Sequence, residues 1–185
     1  MSAPQEITQE ERRGDHLYRA RMWRWILALD LGFWLIVLSI AFPPPPLLVW
    51  NASASAPIGL YRVAPGAALS RGDMAIARTP TAFRRLAAER RYLPQNVPLV
   101  KRVAGIAGDR ICAIGEAITV NRKHVATRLA KDGQRRPMPW WRGCRVLGPG
   151  EYFLLMDAPA SFDGRYFGIS ERVDIVGRAY PLWTR

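Results

Sequence analysis

The sequence predicts a mainly β domain that follows one N-terminal membrane-spanning helix. Three observations predict it. Between Trp25 and Trp50 the only charged residue is Asp30. Beyond that run, short β-like segments recur with Gly, Asp or Pro ahead of them, and only 81–91 reads as helical. Residues 51–185 are enough for one compact domain and too few for two.

The elements follow in chain order. Residues 1–24 form a charged N-terminal segment in which Arg19, Arg21 and Arg24 lead up to the apolar run. Residues 25–42, W-I-L-A-L-D-L-G-F-W-L-I-V-L-S-I-A-F, come close to the ~20 residues that cross a bilayer. Pro43 to Pro46 stop the helix and open a proline-rich juxtamembrane segment, 43–50. No charge follows until Arg62, so the positive-inside rule puts the N-terminus in the cytoplasm and the domain 51–185 on the outer side of the membrane. A cleavable signal peptide is the competing reading. The long charged segment, and prolines where a small-residue cleavage site belongs, favour an uncleaved anchor. Asp30 either pairs with a partner helix or reaches back toward the inner interface.

In the domain, 59–63, 74–77, 99–106, 110–114, 117–120, 152–156 and 175–180 read as strands. G-D precedes M-A-I-A and R-I-C-A-I, and G-P-G-E precedes Y-F-L-L-M. Such a set has Greek-key or barrel-like potential. Cys112 and Cys144 form an even pair for which an oxidising compartment permits a disulfide; two buried thiols are the alternative. With neither a C-x-x-C pair nor a nearby His cluster, no metal site is expected, and nothing calls for a cofactor.

The net charge of +12 resides in the domain, with 22 Lys and Arg against 10 Asp and Glu from residue 43 on. It suits anionic inner-membrane lipids or an acidic partner. Nucleic acid is not expected, because no recognition motif accompanies the charge and the topology places it outside the cytoplasm. Arg135, Arg136, Met138, Trp140, Trp141 and Arg142 form a basic, aromatic stretch suited either to the membrane interface or to a loop with buried tryptophans.

Two segments carry chemistry. In V-P-L-V-K-R-V-A-G-I-A-G-D, strand alternation places Leu99, Lys101 and Val103 on one face and Val100 and Arg102 on the other. A lysine among apolar neighbours is poorly solvated, which favours the neutral amine and makes it a general base near neutral pH; an arginine has no such form. A snorkelling surface lysine is the plainer alternative. Upstream, in N-A-S-A-S-A-P-I-G-L-Y, an extended 51–56 points Ser53 and Ser55 the same way, separated by alanines that leave room for another backbone. Serine becomes a nucleophile when a base takes its proton, and an unprotonated lysine can replace histidine there. His16 and His124 sit in charged, basic surroundings without triad partners.

K-R-V-A-G-I-A-G-D matches the K-R-V-x-G-x-x-G-D box of the signal peptidase I superfamily of serine/lysine peptidases at every specified position. D-A-P-A-S-F-D-G-R-Y-F-G resembles the family's last box, D-N-R-x-x-S-x-D-S-R-x-F-G, through Asp157, Ser161, Asp163, Arg165, Phe167 and Gly168. The serine segment departs from S-x-S-M-x-P-T and, as N-x-S-x-S-x-P-x-G-L-Y, resembles the TraF-like branch of conjugative-transfer peptidases that process pilins. Ala158 and Pro159 replace Asn-Arg, and Gly164 replaces Ser, so the fine hydrogen bonding of the last box departs from the family pattern. The resemblance implies a signal-peptidase-like β-rich catalytic domain with Ser55 as nucleophile and Lys101 as general base. It implies that Ser53 and the Ser55 N–H form the oxyanion hole and that Ser161 orients the lysine. Asp163 and Arg165, two residues apart, read as a structural ion pair on an extended segment. The implied activity is a membrane-anchored endopeptidase acting on a pilin-like precursor alongside other proteins of the conjugation apparatus. Some family members also join the new ends into a circle. A general leader peptidase is the alternative within enzymes, and a catalytically inactive tethered assembly factor the alternative outside them.

Overall fold

The computed structural model describes residues 9–185, with side-chain environments from 18 onward except at 20. The segment 1–8 and the His16 side chain lie outside the described set. The chain divides into two units, 1–44 and 45–185.

The first unit is helix α1, Gln9–Ala41. Its portion Arg21–Ala41 is 21 residues long with a hydropathy of 1.8, apolar enough to cross a bilayer. Trp25, Leu29, Leu35 and Ile40 are all exposed. A helix this apolar and this exposed suits a lipid environment better than water.

The second unit begins at Pro45, and its first strand, β1, spans Leu48–Asn51. The segment read as juxtamembrane therefore ends inside the sheet. Val49 and Asn51 are buried while Leu48 and Trp50 are exposed, so alternation was present but masked by the prolines before it. Then follow β2 (Gly59–Pro65), β3 (Met74–Ala77), helix α2 (Thr81–Glu89) and β4 (Leu99–Gly105). Next come β5 (Arg110–Ile114), β6 (Ala117–Val120), β7 (Lys123–Thr127), β8 (Gly143–Val146) and β9 (Glu151–Leu155). The short helix α3 (Gly164–Phe167), β10 (Ser170–Glu171) and β11 (Ile175–Thr184) complete the unit. Every strand pairing is antiparallel. One sheet runs β1-β2-β11-β3-β4-β9-β10 and the other β7-β6-β5-β8.

Alternation distributes the core. On β4, Val100 packs with Val49, Tyr61, Val63 and Ile76. Val103, from the other face, packs with Leu69, Ala75 and Leu154. In the smaller sheet, Ile111, Ala113, Ile118 and Val120 close on Leu147 and Phe153. Helix α2 presents Phe83, Leu86 and Ala87, spaced for one face, to Leu99, Phe162, Tyr166 and Phe167. Cys112 and Cys144 stand opposite each other on β5 and β8 and are joined by a disulfide with their Sγ atoms 2.06 Å apart.

Gly59 has a backbone requirement of its own. Its φ is +154°, and a Cβ there would collide with the Trp183 carbonyl oxygen. Only glycine lets the end of β11 lie against the chain just after the serine segment.

Candidate active site

Sheet and loop bring the two chemistry-bearing segments together. Lys101 projects from the middle of β4 between β3 and β9 and is 2% exposed. Its Nζ lies 2.9 Å from Ser55 Oγ and 2.7 Å from Ser161 Oγ. Ser53 Oγ is 3.0 Å from Ser55 Oγ. The four polar side chains read from the sequence thus form one hydrogen-bonded cluster, contributed by three separate segments.

The serine segment is not extended. Ala56 N–H donates to the Ser53 carbonyl at 3.3 Å, so the chain turns immediately after Ser53. Asn51 causes this. Its Oδ1 accepts from Ser53 N–H at 3.1 Å, and its Nδ2 donates to the carbonyls of Ser53, Ala56 and Pro57 at 2.9, 3.1 and 3.0 Å. Tyr61 adds a hydroxyl donated to the Pro57 carbonyl at 2.8 Å. A buried amide that satisfies this many backbone groups fixes the loop. Asn51 and Tyr61 are thus positioning residues that the sequence reading left without a role. Their signal was their place at either end of the N-x-S-x-S-x-P-x-G-L-Y motif.

Ser161 is set by a second buried network. Asp163 and Arg165 pair at 2.9 Å, 0% and 2% exposed, but not on an extended segment. Asp163 caps α3, accepting from Arg165 N–H at 3.2 Å and from Met156 N–H at 3.0 Å. Arg165 donates to the carbonyls of Met156 and Pro159. Ser161 N–H donates to the Ala158 carbonyl at 3.0 Å. The backbone of Ala158 and Pro159 therefore supplies bonds here, whatever side chains stand at those positions. At Gly164 a Cβ would meet the Leu154 carbonyl and the Phe153 ring, so a serine there would require these neighbours to shift.

Burial dominates the electrostatics of Lys101. Desolvation pulls its pKa from 10.5 down to about 8; Asp163 opposes this and Arg165 adds to it. Between those two values the unfolded chain holds a proton that the folded chain has released. Stability therefore rises with pH across that window, and the full penalty, about 3 kcal/mol, applies below it. Lys101→Met removes the charge and is expected to stabilise the fold by about 2 kcal/mol at pH 7 and by much less at pH 10.5. Urea unfolding of the detergent-solubilised protein at both pH values measures it, and an equal gain at both contradicts the buried-amine account.

A cavity of about 290 Å³ opens beside Ser55 and Lys101, with Leu93, Leu129, Met138, Phe162 and Tyr166 in its walls. The 129–138 loop contributes Leu129, Lys131, Asp132, Gly133 and Met138 to its lining. There Asp132 accepts from the Tyr92 hydroxyl and from the backbone and guanidinium of Arg136. Burial pushes the Asp132 carboxyl up, but these donors together hold it well below the usual range. Arg128, fully buried, donates to the carbonyls of Gly115 and Trp141 and stacks 3.7 Å over Trp140. Trp141 Nε1 donates to the Gly164 carbonyl at 3.2 Å. Both tryptophans are partly buried, with their rings engaged inside the domain, which favours the loop reading of this stretch over the membrane-interface one. His124 lies on β7, exposed, 3.1 Å from Thr127, and takes no part in the cluster.

The second unit is thus β-rich and holds a buried lysine within hydrogen-bonding distance of two serines, and it follows an apolar helix. Residues 20–183 match the family described as signal peptidase, peptidase S26, and the chain belongs to that family. It is similar to a probable conjugal transfer protein TraF of Sinorhizobium fredii, 34% identical over 148 residues, covering 72% of this chain and 76% of that one. It is likewise similar to the conjugal transfer protein TraF of Agrobacterium fabrum, 31% identical over 144 residues, covering 72% and 81%. Among solved structures, a signal peptidase I from Enterococcus faecalis aligns with a TM-score of 0.36 at 16% identity, covering 60% of this chain and 97% of that one. The chain is a signal peptidase I-like peptidase related to the TraF proteins of conjugative transfer.

Proposed function

We propose that this chain is a serine endopeptidase, with Ser55 as nucleophile and Lys101 as general base, that removes the leader of an exported pilin-like precursor. The observation that carries this is the 2.9 Å approach of Ser55 Oγ to an amine whose burial brings its pKa to about 8. The neutral amine accepts the Ser55 proton as Oγ bonds to the scissile carbonyl carbon. The carbonyl oxygen takes the negative charge. Ser55 N–H and the Ser53 hydroxyl receive it: they now meet each other across a long 3.3 Å contact that an incoming oxyanion displaces. The C–N bond then breaks as Lys101 returns its proton to the leaving amine. Water adds to the acyl-serine with Lys101 again as base, and Ser55 recovers its proton as the new carboxyl group departs. Ser161 keeps Nζ aimed at Ser55 throughout.

The pilin-like substrate is inferred from the resemblance of the serine segment to the TraF-like branch; the relatives' names give conjugal transfer as the setting, and conjugation-apparatus proteins are the expected neighbours. If the acyl-serine is intercepted by an amine of the same polypeptide instead of water, the product is circular; the same two residues serve either outcome. The anchor, the arginines before it and the disulfide support a single-pass protein with its domain in the periplasm, where oxidising conditions retain such a bond. A reporter active only in the periplasm, fused after Arg185, is expected to give signal. Signal from a cytoplasm-only reporter instead would reverse the orientation and remove the exported precursor as substrate.

A further inference from the structure

Two segments far apart in sequence meet at the cavity beside Ser55 and Lys101. One is 90–92, where the chain leaves α2, and the other is the 129–138 loop. Arg90 Nη1 donates to the Pro137 carbonyl at 2.7 Å, Arg136 Nη2 donates to the Arg90 carbonyl at 3.3 Å, and the Tyr92 hydroxyl donates to Asp132. The Arg136 guanidinium also lies 5.6 Å from the centre of the Tyr92 ring. Tyr92, Lys131, Asp132 and Met138 line the cavity, so this junction is part of its rim.

The rim is basic. Arg85, Arg90, Arg91, Lys131, Arg135 and Arg136 stand against Glu89, Asp132 and Glu116, the last on the turn whose carbonyl accepts from Arg128 N–H. Six cations thus face three carboxylates, and two of these are taken up, Glu89 by Arg85 and Asp132 by Arg136, each at 2.7 Å. The negative end of α2 offsets part of the charge of Arg90 and Arg91. Arg91, Lys131 and Arg135 are exposed, and among the described residues no carboxylate bonds their side chains. Backbone conformation sharpens the point. Arg91 and Arg135 have φ of +58° and +61°, in the left-handed region that glycine and asparagine adopt more readily than arginine. The turns themselves do not call for arginine at either position; what arginine adds there is charge.

We propose that this rim is a docking surface for an acidic segment of the protein substrate, which lies along Arg91, Lys131 and Arg135 while an apolar residue of the same chain fills the cavity. The cations border the cavity that holds the reacting serine, so a substrate reaching Ser55 passes beside them. They are also carried on backbone that is fixed: Asp132 accepts from the N–H groups of Gln134 and Arg136 at 2.9 and 2.8 Å, and Arg90 ties the loop to the end of α2. Fixed cations match carboxylates on a peptide, whereas a fluid layer of anionic headgroups asks for no set geometry. The docking role rests on the proposed reading of Ser55 and Lys101 as the reacting pair; the charge of the rim does not.

The test uses the full chain carrying Ser55→Ala in phosphatidylcholine nanodiscs, with end-capped alanine/serine peptides that bear a neutral fluorophore and one central leucine. A Glu pair or a Gln pair is placed in turn within about six residues on either side of the leucine, which covers ~20 Å of extended chain. Fluorescence anisotropy is expected to show the Glu peptide binding about three- to tenfold tighter on one side of the leucine only, the gain shrinking as salt rises. Arg91→Asn, Lys131→Gln and Arg135→Asn together are expected to bring that ratio toward one. Because asparagine suits the left-handed backbone, the thermal unfolding temperature is expected to stay the same or rise. A control triple, Arg110→Gln, Arg122→Asn and Lys123→Gln, removes the same charge from exposed positions on β5, on β7 and in the turn before it, and is expected to keep most of the preference. Equal binding of Glu and Gln peptides at every position, or an equal loss in the two triples, overturns the proposal. Equal binding together with slower hydrogen exchange at 90–92 and 131–136 in phosphatidylglycerol than in phosphatidylcholine nanodiscs overturns it in favour of a lipid surface. Incubating the native chain with the same peptides separates the two claims. A Glu preference in binding with no cleavage by the native chain sinks the dyad and keeps the docking surface; cleavage with no preference in binding does the reverse.

Discussion

Ser55→Ala and Lys101→Ala are each expected to abolish processing of a co-expressed pilin-like precursor, lowering the rate by at least ~10³-fold, while the protein stays folded and membrane-bound. Each removes a different half of one proton transfer, so combining them costs almost nothing further. Lys101→Arg is expected to be as inactive as Lys101→Ala, because a guanidinium keeps its proton at every usable pH. Ser53→Ala is expected to be milder, about 10- to 100-fold, since the Ser55 N–H remains as donor. Ser161→Ala leaves Nζ with one hydroxyl partner in place of two and is expected to fall between these. Immunoblots of precursor and product, with membrane fractionation and thermal unfolding of each variant, read the series. Substantial cleavage by Ser55→Ala contradicts the assignment.

The pH dependence is the second large effect. In the proposed mechanism only the neutral amine accepts a proton from Ser55, so with a Lys101 pKa of about 8 the rate is expected to rise close to tenfold from pH 6 to 7, about fivefold from pH 7 to 8, and to level off above pH 9. Leu99 is 7% exposed and lines the same cavity as Lys101, helping to keep water from the amine. Leu99→Asp brings a carboxylate and solvent to that side, favours the ammonium, and is expected to move the rising limb upward by about one unit. Val103 shares that strand face but packs among Leu69, Ala75 and Leu154, where a carboxylate would disrupt the core. The variant to measure is therefore Leu99→Asp, in protein shown to be folded at each pH. A limb that stays near pH 8 means that apolar neighbours do not tune the base.

Much of this fold was legible because short apolar or alternating runs stand between turn signals. The runs at 74–77, 110–114 and 117–120 coincide with β3, β5 and β6. What escaped was weakly patterned. K-H-V-A-T of β7 and G-C-R-V of β8 are edge strands of the smaller sheet, largely exposed, with no buried face to impose a period of two. Helix α3 is four residues long, too short for helical periodicity, and is held by Asp163 capping and the Arg165 pair. In the site, the resemblance and the lysine's apolar neighbours pointed to Ser55 and Lys101, 46 residues apart in sequence and adjacent in space. The loop around Ser53 was read as extended because its alanines give no turn signal. Its turn is imposed by Asn51, whose amide reaches carbonyls as far on as Pro57. Arg128, buried without a carboxylate and satisfied by carbonyls and an aromatic face, also left no trace in the sequence pattern.

The central claim is that Ser55 carries the acyl group. It is tested most directly by acid-quenching the full-length protein during turnover of a peptide ester and mapping the attached acyl mass by tandem mass spectrometry. An acyl group on Ser55, absent from Ser55→Ala, is the predicted result. Turnover with the acyl group on Ser53 or another residue, or with none on any residue at any quench time, would contradict it.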